Sequence, residues 1–423
     1  MKKNTSLFIA VRYLWGRARE GGRYLRGAAA GIAVSLIPIV VTLIVADGMI
    51  RGIMDRYLEL GTGHLQVYNV LGSSGTKSAE EMIKNIMEVG GVRGVWQEQR
   101  GMGVLAGRTG RTGVTLRAVD PSFWDYSSGA EFLKIIDGSA KPQSERDIVL
   151  GESLALEIGV GMGDTVRLMA LRNNESGRMS PRTAAFTVSG VVSCGYNELD
   201  RIWCITSIEG GNRILTDTSS ESYIIKIDDP YKNAIDIRLK INEKLGSGYN
   251  SYTWMDFLRS QHSSYETTRQ LLLFIMALIV IVAAVNVSSA TSMLALERQR
   301  DIAVLKVSGS NVTGIRDIFI FAGFLTGLCG AVIGISVGLL IGININLLIR
   351  SLEKLLSFFS LLFNGSEVKI LDPGFYLETI PIIVDWGAVL LIGLFTIICS
   401  VLASWLPAHK AGKLKPMELL RKT

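Results

Sequence analysis

The sequence has few of the residues from which disulfide scaffolds and metal sites are built. Four cysteines and three histidines occur among 423 residues. Four cysteines do not make a disulfide scaffold, and His64, His262 and His409 are too scattered to predict a metal cluster or a Ser-His-Asp triad. Charged residues are also scarce, at 19% against 48% hydrophobic residues. This balance excludes an ordinary soluble protein and predicts a membrane protein that also carries soluble structure.

Nucleotide-binding motifs are missing as well. The sequence contains no GxxxxGK[ST] phosphate loop, and GSSGTKS at 72–78 has the composition of such a loop without its spacing. The stretches GMGVLAG (101–107) and GVGMGD (159–164) do not begin a strand-helix-strand unit followed by an acidic ribose ligand, so turn glycines explain them. We therefore predict that the chain is not an enzyme and has no catalytic residues, metal ligands or cofactor of its own.

Four long runs free of charged residues stand out instead. A helix needs roughly 20 apolar residues to cross about 30 Å of hydrocarbon. We predict membrane spans over 27–50, 271–296, 317–349 and 386–406. The third apolar run, of about 32 residues or about 48 Å, must tilt, kink or project beyond the lipid. The first run is too long for a signal peptide and lacks a small-x-small cleavage site, which predicts a retained anchor.

Basic residues predict the orientation of these spans. Lysine and arginine cluster in the N-terminal arm (1–26), in the connection between the second and third spans (297–316) and in the tail (407–423). Such clusters mark the cytoplasmic side, so the segments 51–270 and 350–385 fall outside. This orientation accounts for the pI near 9.0, and no nucleic-acid partner is expected. The arm itself has the spacing of an amphipathic helix at the lipid surface.

The segment 51–270 has the pattern of an α+β domain. Alternating strands are predicted at 64–69, 113–119, 185–194, 201–210 and 222–229. SAEEMIKNIMEV (78–89) opens with a serine N-cap and two acids, and YKNAIDIRLKINEKL (231–245) also predicts a helix. The predicted fold is therefore a membrane α-helical protein with four transmembrane helices and a large α+β extracytoplasmic domain inserted between helices 1 and 2.

Small and polar residues within the spans predict close helix contacts. Gly330, Gly334, Gly338 and Gly342 recur every fourth residue, so they form one face on which another helix can approach closely. Packing against another span of the same chain and a dimer seam are both open. In the second span, polar side chains between 286 and 292 are expected to bond to neighbouring helices rather than to line a solute path.

The segment LERQRDIAVLKVSGS (296–310) follows the second span and is too short to cross the membrane. As a helix it places Ile302 and Leu305 close together, with Ala303 and Val304 beside them, and Gly309 ends it. Charged residues surround this stripe: Glu297, Arg298, Arg300, Asp301 and Lys306. Such a helix either lies in the cytoplasmic lipid interface or docks in the groove of a soluble partner, and composition favours neither.

The segment resembles the coupling helix of MacB/FtsX-type permeases of ABC transporters, which carry E-R-x-R-(D/E)-I-x-(V/I)-L-(K/R)-x-x-G-(A/S) directly after the second span. The rest of the chain more narrowly resembles lipoprotein-releasing permeases of the LolC/LolE type. Seven stretches carry this resemblance in order: LFIAVRYLWGR (7–17), LRAVDP (116–121), IVLGESLALEIGVGMGDTVRLM (148–169), CGYNELD (194–200), VAAVNVSSATSML (282–294), DPGFYLETIPI (372–382) and SWLPAHKAGKLKPMELLR (404–421).

The resemblance implies an inner-membrane permease with cytoplasmic termini and a MacB-type periplasmic domain. It implies a dimer of two permease chains, identical or paralogous, with two copies of an ATP-binding subunit that supplies ATP and Mg. The coupling residues would be Glu297, Arg298, Arg300, Asp301, Ile302, Leu305 and Lys306. The expected function is extraction of triacylated lipoproteins from the outer leaflet and their transfer to a periplasmic carrier.

The resemblance also implies candidate binding residues. The outer ends of the first two spans would line a lipid cavity with Val45, Met49, Ile53, Leu273, Phe274 and Met276, and ordinary lipid-facing packing is the alternative for each of them. A carrier-binding hook would lie at 170–186, where Arg172, Arg178 and Arg182 are candidates and a solvated loop is the alternative. Independently of the resemblance, Cys194 and Cys204 are a candidate disulfide, and sequence spacing alone does not fix the Cα distance that a bridge requires. Two other functions stay open: a MacB-like exporter of other substrates, and an FtsX-like mechanotransmitting regulator of a cell-wall hydrolase.

Overall fold

The computed structural model describes residues 3–15, 22–69, 78–126, 132–173, 179–215, 221–246, 248–362, 377 and 379–413. The chain forms two compact units. We call Met1–Gly48, Tyr265–Val368 and Ile380–Thr423 the membrane unit, and Met49–Ser264 with Lys369–Thr379 the sheet unit.

The helices in the described part of the chain are, in chain order, α1 (Lys3–Trp15), α2 (Gly22–Arg56), α3 (Ala79–Met87), α4 (Phe123–Tyr126), α5 (Glu152–Ile158), α6 (Asn197–Ile202), α7 (Ile208–Asn212), α8 (Ala234–Leu245), α9 (Trp254–Phe257), α10 (Arg259–Glu297), α11 (Gln299–Val307), α12 (Val312–Ile343), α13 (Ile345–Leu362) and α14 (Trp386–Lys413). A π-helix, Tyr57–Thr62, follows α2 directly.

Four helical segments are long and apolar enough to cross a membrane, by length and composition. They are Gly22–Thr62, Arg259–Glu297, Val312–Ile343 and Trp386–Lys413. The prediction of four long apolar helices in this order is therefore confirmed. Each helix extends beyond at least one end of its apolar run, because helical hydrogen bonding continues into neighbouring polar residues.

The third span differs from the prediction at its C-terminal end. The helix α12 stops at Ile343, the Nδ2 of Asn344 donates to the Leu340 carbonyl at 2.8 Å, and α13 begins at Ile345. The predicted third span, 317–349, therefore contains a break, and the predicted outer loop, 350–385, begins inside a helix. The Asn346 side chain also donates to the Ile380 carbonyl at 2.8 Å and accepts from the Ile380 amide at 3.0 Å. This asparagine fixes the segment that precedes α14.

The glycine ladder of the third span packs against the first span of the same chain. Gly330, Gly334, Gly338 and Gly342 face Ile32, Leu36, Val40 and Ile44 respectively. A Cβ at Gly334 would lie 2.8 Å from the Leu36 Cβ and 2.9 Å from the Ala33 carbonyl oxygen. Only glycine permits this approach of α2 to α12, so the ladder serves packing within the chain.

Small hydroxyl residues occupy the contacts of the fourth span. A Cβ at Gly323 would overlap the Ser404 side chain, and one at Gly327 would lie 2.6 Å from the Ser400 Cβ. Thr291 of α10 approaches the Ser404 hydroxyl at 3.4 Å and donates to the Val287 carbonyl at 2.7 Å. The expected contact between polar groups of neighbouring spans is present at Thr291, whereas Ser292 bonds to its own helix at the Ser288 carbonyl.

The sheet unit contains ten strands in the described residues: β1 (Leu65–Asn69), β2 (Val92–Ala106), β3 (Arg111–Val119), β4 (Lys134–Gly138), β5 (Asp147–Gly151), β6 (Thr165–Asn173), β7 (Met179–Ser193), β8 (Trp203–Ser207), β9 (Glu221–Ile227) and β10 (Tyr249–Thr253). The order is β10-β1-β9-β2-β3-β8-β5-β7-β4, and β6 pairs with β2 and β7. The β3–β8 and β5–β7 pairs are parallel. The predicted α+β pattern is confirmed, and Ser78 caps α3 by accepting from the Glu81 amide at 3.2 Å.

Two apolar clusters cover the two faces of this sheet. Successive strand residues alternate between them: Ile148 and Leu150 belong to one cluster, and Val149 belongs to the other. The second cluster also contains Leu377, which is fully buried. Leu377 follows the third span in the chain. It thus completes the core of the sheet unit, most of which precedes the second span.

Candidate functional site

The coupling segment continues from the second span after a single non-helical residue. Glu297 ends α10, Arg298 adopts φ −96° and ψ 21°, and α11 begins at Gln299. Gly309 then takes φ +88°, a left-handed conformation that favours glycine. The predicted short helix with a glycine stop is therefore present.

The apolar residues of α11 divide between two faces. Ile302 and Ala303 are buried, and Ile302 belongs to a cluster with Leu14 of α1, Ile318 of α12 and Ala408 of α14. Leu305 packs partly against the same cluster. Val304 and Val307 are 59% and 73% exposed. The exposed apolar face consequently contains Val304 and Val307, whereas the prediction centred on Ile302 and Leu305.

Arg298 anchors the coupling segment to the N-terminal helix. Its guanidinium lies 5.3 Å from the centroid of the Tyr13 ring and 3.1 Å from the Asp301 carboxylate. Burial, with the charge of Asp301, raises the pKa of Tyr13 to about 12 although Arg298 opposes the shift. Arg298 is therefore occupied within the chain, while Arg300 is exposed on the same short helix.

A second site lies within the sheet unit, where the end of the first span meets the strands. We call it the span-sheet junction, and it is centred on the fully buried Glu98 of β2. Glu98 accepts from Arg117 at 2.7 and 2.8 Å and from Arg100 at 2.6 Å. These two arginines also donate to the carbonyls of the π-helix, Arg117 to Leu60 and Arg100 to Gly61 at 2.6 Å. Carbonyl groups that a helix end leaves without partners are thus satisfied by the sheet.

The charge balance of the junction depends on the two arginines. Burial on its own would raise the pKa of Glu98, but the positive charges and hydrogen bonds of Arg100 and Arg117 lower it to about 2. The arginine side chains therefore hold Glu98 ionised inside the protein. Sequence reasoning missed this site, because Glu98 and Arg100 lie outside every stretch singled out there, and the stretch LRAVDP did not indicate a buried partner for Arg117.

Further bonds fix the last turns of α2 within the sheet unit. Arg56 donates to the Cys194 carbonyl at 2.6 Å, and the Tyr231 hydroxyl donates to Asp55 at 2.6 Å. Glu59 of the π-helix pairs with Lys226 at 3.0 Å and with His64 at 3.3 Å. The end of the first span is therefore bonded to β9 and to the segments that follow β7 and β9.

The two outer cysteines are free, buried thiols on opposite faces of the sheet. Cys204 belongs to the cluster that contains Leu150, and Cys194 belongs to the cluster that contains Val149. The candidate disulfide is not formed, because the sheet separates the two thiols. Burial, with no opposing charge at that position, raises the pKa of Cys204 to about 12. Asp200 instead organises the turn at Cys194 by accepting from the Ser193 hydroxyl at 2.7 Å and the Cys194 amide at 3.0 Å.

The predicted lipid-cavity residues differ in exposure. Phe274 is 63% exposed, whereas Val45, Met49 and Leu273 are half-buried. Met276 is buried against helices of the membrane unit, and Ile53 packs on an apolar cluster of the sheet unit. The exposed position of Phe274 fits a lipid-facing role, and the cavity assignment as a whole stays a prediction.

The predicted carrier-binding hook coincides with a long hairpin. β6 and β7 pair antiparallel from Thr165 with Thr187 to Asn173 with Met179. Arg172 lies on β6, Arg182 lies on β7 and donates to the Arg213 carbonyl at 3.2 Å, and Arg178 lies outside the described residues. The hairpin provides the shape of a hook, and its partner stays a prediction.

Polar groups also meet in the membrane unit between the first, second and fourth spans. Arg269 of α10 lies 3.2 Å, Nε to Oδ1, from Asp47 of α2 and forms a second ion pair with Asp385. Asp385 caps α14 by accepting from the Gly387 amide at 2.9 Å and the Ala388 amide at 3.2 Å. We call Asp47, Arg269 and Asp385 the three-span tie.

Comparison with known families identifies the class of protein. Residues 27–243 match the model of the MacB-like periplasmic core domain, and residues 273–416 match the FtsX-like permease C-terminal model. With the four apolar helices, these matches define a membrane permease whose sheet domain follows its first span. The first model covers just over half of the chain, which therefore belongs to the MacB-like periplasmic core domain family.

Several curated relatives match over almost their full length. The lipoprotein-releasing system transmembrane protein LolC of Xylella fastidiosa (strain 9a5c) is 26% identical, over 98% of this chain and 98% of the relative. LolC of Neisseria meningitidis serogroup B is also 26% identical, with the same coverage. The lipoprotein-releasing system transmembrane protein LolE of Haemophilus influenzae is 22% identical over 99% of both chains. The chain is thus similar to both named members of this system.

Proposed function

We propose that this chain is a permease subunit of an ABC transporter that releases lipoproteins from the outer leaflet of the inner membrane. The observation that carries the proposal is the similarity to LolC proteins over 98% of both chains, with both membrane and sheet regions included. A separate ATP-binding subunit, in two copies, supplies ATP hydrolysis, and a second permease chain completes the complex. A periplasmic carrier receives the lipoprotein.

The ATP-binding subunit docks on the coupling segment in this proposal. Val304 and Val307 give α11 an exposed apolar face, and Arg300 adds a positive charge beside it. Ile302 anchors the opposite face in the membrane unit. A helix held on one side and apolar on the other suits a groove in a soluble partner. Movement of that partner would push on α10 and α12, because α11 lies between them in the chain.

The first span transmits movement to the sheet unit in the same proposal. It continues into the sheet unit without a break and ends at the span-sheet junction, where Arg100 and Arg117 bind its last carbonyls. A helix end that is hydrogen-bonded to the sheet cannot turn independently of it. The arrangement therefore supports a mechanical role for the sheet unit during release.

The energetic problem explains why such a machine needs ATP. Exposing one acyl chain of about sixteen carbons to water costs on the order of 13 kcal/mol, at about 0.8 kcal/mol per CH₂. An apolar cavity must receive the acyl chains as they leave the membrane. The exposed Phe274 and the half-buried Val45, Met49 and Leu273 are the residues proposed to line it.

Depletion of the chain in living cells tests this function. We expect lipoproteins destined for the outer membrane to accumulate in the inner membrane, as measured by fractionation and immunoblotting. Normal sorting with defective cell separation would refute lipoprotein release and favour a regulator of a cell-wall hydrolase. Normal sorting with lost resistance to exported compounds would favour a MacB-like exporter.

A further inference from the structure

Arg269 connects three spans at the ends that are predicted to face outside. It lies two residues before the apolar run of α10 that starts at Leu271, and it pairs with Asp47 of α2 and with Asp385 at the start of α14. Among the described residues, Arg269 is the one basic side chain within ion-pair distance of Asp47, and likewise of Asp385. Its loss would remove both ion pairs of the three-span tie.

The hydrogen bonding of the tie is incomplete. The Oδ2 of Asp47 and the Nε of Arg269 are buried, and neither has a hydrogen-bond partner among the described residues. A buried polar network in which some atoms lack partners is less stable than a complete one. The side chains of Arg269 and Asp385 are also 33% and 38% exposed, so this part of the tie is accessible from the surface even when the ion pair is formed. These features fit an ionic contact that breaks and re-forms.

The tie lies among the residues proposed to line the lipid cavity. Leu273 is one helical turn after Arg269 on α10, and Val45 and Met49 flank Asp47 on α2. A Cβ at Gly48 would overlap the Pro381 carbonyl oxygen, so α2 is also in close contact with the segment before α14. Separation of Asp47 from Arg269 would therefore expose side chains between the first two spans.

We infer that Arg269 is a positioning residue that holds the outer ends of the first, second and fourth spans together, and that the three-span tie opens when acyl chains enter between the first two spans. This inference rests on the proposed function for the identity of the acyl chains. The tie itself predicts a property of the membrane unit that can be measured without any cargo.

The first test measures access of a lipid-soluble maleimide to a cysteine at Leu273 in the full complex, in membranes. The four native cysteines are replaced by alanine beforehand. We expect Arg269→Met to increase the labelling rate severalfold, and Arg269→Lys, which keeps a cation between the two aspartates, to retain the slow rate. The matched control is Arg316→Met, which removes an ion pair with Asp317 elsewhere in the membrane unit. Equal labelling in all variants would overturn the inference.

The second test locks the tie with a disulfide between cysteines placed at Asp47 and Arg269. We expect the oxidised complex to hydrolyse ATP without releasing lipoprotein, and a reductant to restore release. A disulfide between Thr291→Cys and Ser404→Cys, which joins the second and fourth spans elsewhere, should leave release unchanged. Full release by the complex locked at Asp47 and Arg269 would refute opening of the tie. Absence of release in the unlocked parent would refute the proposed function instead, and the labelling test would still decide on the tie.

Discussion

Glu98 shows how one buried carboxylate can hold several elements together. It binds Arg100 and Arg117, and these arginines bind the carbonyls that end the first span. Removal of one partner from a buried ion pair leaves an unpaired charge, which is far more costly than loss of a surface pair. The residue therefore determines both the stability of the sheet unit and the position of the helix end.

The first prediction concerns Arg117. We expect Arg117→Met to destabilise the sheet unit by about 3–5 kcal/mol, because Glu98 loses a bidentate partner inside the protein. Thermal unfolding of the full chain in nanodiscs, followed by tryptophan fluorescence, measures the change. Arg111→Met, at an exposed position on the same strand, is the matched control and should change little. Equal melting temperatures for the two variants would contradict the role given to Arg117.

The second prediction concerns pH. The pKa of Glu98 is lowered to about 2 in the folded chain, against about 4.3 for an ordinary glutamate. A carboxylate with a lowered folded pKa stabilises the folded state above its unfolded pKa and loses this contribution as the pH falls towards the folded pKa. We expect stability to fall from about pH 4.3 towards pH 2.

Glu98→Gln should reduce this acid dependence, since glutamine does not titrate. The exposed substitution Glu145→Gln serves as the control for loss of one negative charge. Unfolding of the full chain is compared at pH 7 and at pH 3. Identical differences between these pH values in the parent and in Glu98→Gln would show that another group is responsible.

At the scale of elements, the glycine face of α12 determines how closely the first and third spans pack. A leucine at Gly334 cannot fit beside Leu36 and the Ala33 carbonyl without separation of the helices. We expect Gly334→Leu to lower the yield of folded protein and its melting temperature in detergent. Gly31→Ala, whose Cβ would meet no atom within 4 Å, is the control and should be neutral or slightly stabilising. Unchanged stability of Gly334→Leu would contradict the close packing.

The exposed face of α11 gives a prediction about coupling. Val304→Glu should prevent stimulation of ATP hydrolysis in the partner, because it places a charge in an apolar contact. The exposed substitution Thr313→Glu, in the first turn of α12 and outside α11, adds the same charge away from that contact and should retain stimulation. ATPase assays of reconstituted complexes measure both variants, with membrane insertion checked in parallel. Normal stimulation by Val304→Glu would place the docking surface elsewhere.

Sequence patterns predicted some of these elements and missed others. The spans, α3 and α8 were predictable because hydrophobicity and capping are local properties. The strand β2 was not singled out, since Gly94, Gly101 and Gly103 interrupt its alternation. A Cβ at Gly101 would overlap Leu215, and one at Gly103 would lie 2.8 Å from the Met169 carbonyl oxygen. These glycines are explained by neighbours distant in sequence, which a local pattern does not contain.

The division of α11 into a buried and an exposed face was not predictable, for a related reason. Periodicity within nine residues groups apolar side chains, but it does not tell which group packs inward. The packing of Ile302 on Leu14 and Ile318 depends on helices from three other parts of the chain. The exposed pair, Val304 and Val307, follows only once that packing is known.

At the scale of the whole molecule, the chain forms two compact units. The helix α2 runs in the chain from one unit into the other, and its last turns make specific bonds within the sheet unit. Overall fold class and family were accessible from sequence because they depend on patterns spread over all 423 residues. The span-sheet junction and the three-span tie were not, because each joins residues that are distant in the chain.

The last prediction tests whether lipoprotein release depends on the bonds between the end of the first span and the rest of the sheet unit. Arg56→Ala removes the bond to the Cys194 carbonyl at the end of the first span. We expect ATP hydrolysis to continue while lipoprotein release falls, because the sheet unit no longer follows the helix closely. Release and ATP hydrolysis are measured in the same reconstituted complex, with the exposed Arg146→Ala as control. A proportional fall in both activities would indicate general damage rather than lost transmission.

The burial of Leu377 has a consequence for biosynthesis. A ribosome completes residues 49–264 long before it reaches Leu377, yet this leucine is fully buried among side chains such as Trp96 and Phe123. The hydrophobic core that receives it is therefore incomplete while the second and third helices are being inserted by the translocation machinery. Folding of the sheet unit has to finish late, after most of the polypeptide has left the exit tunnel.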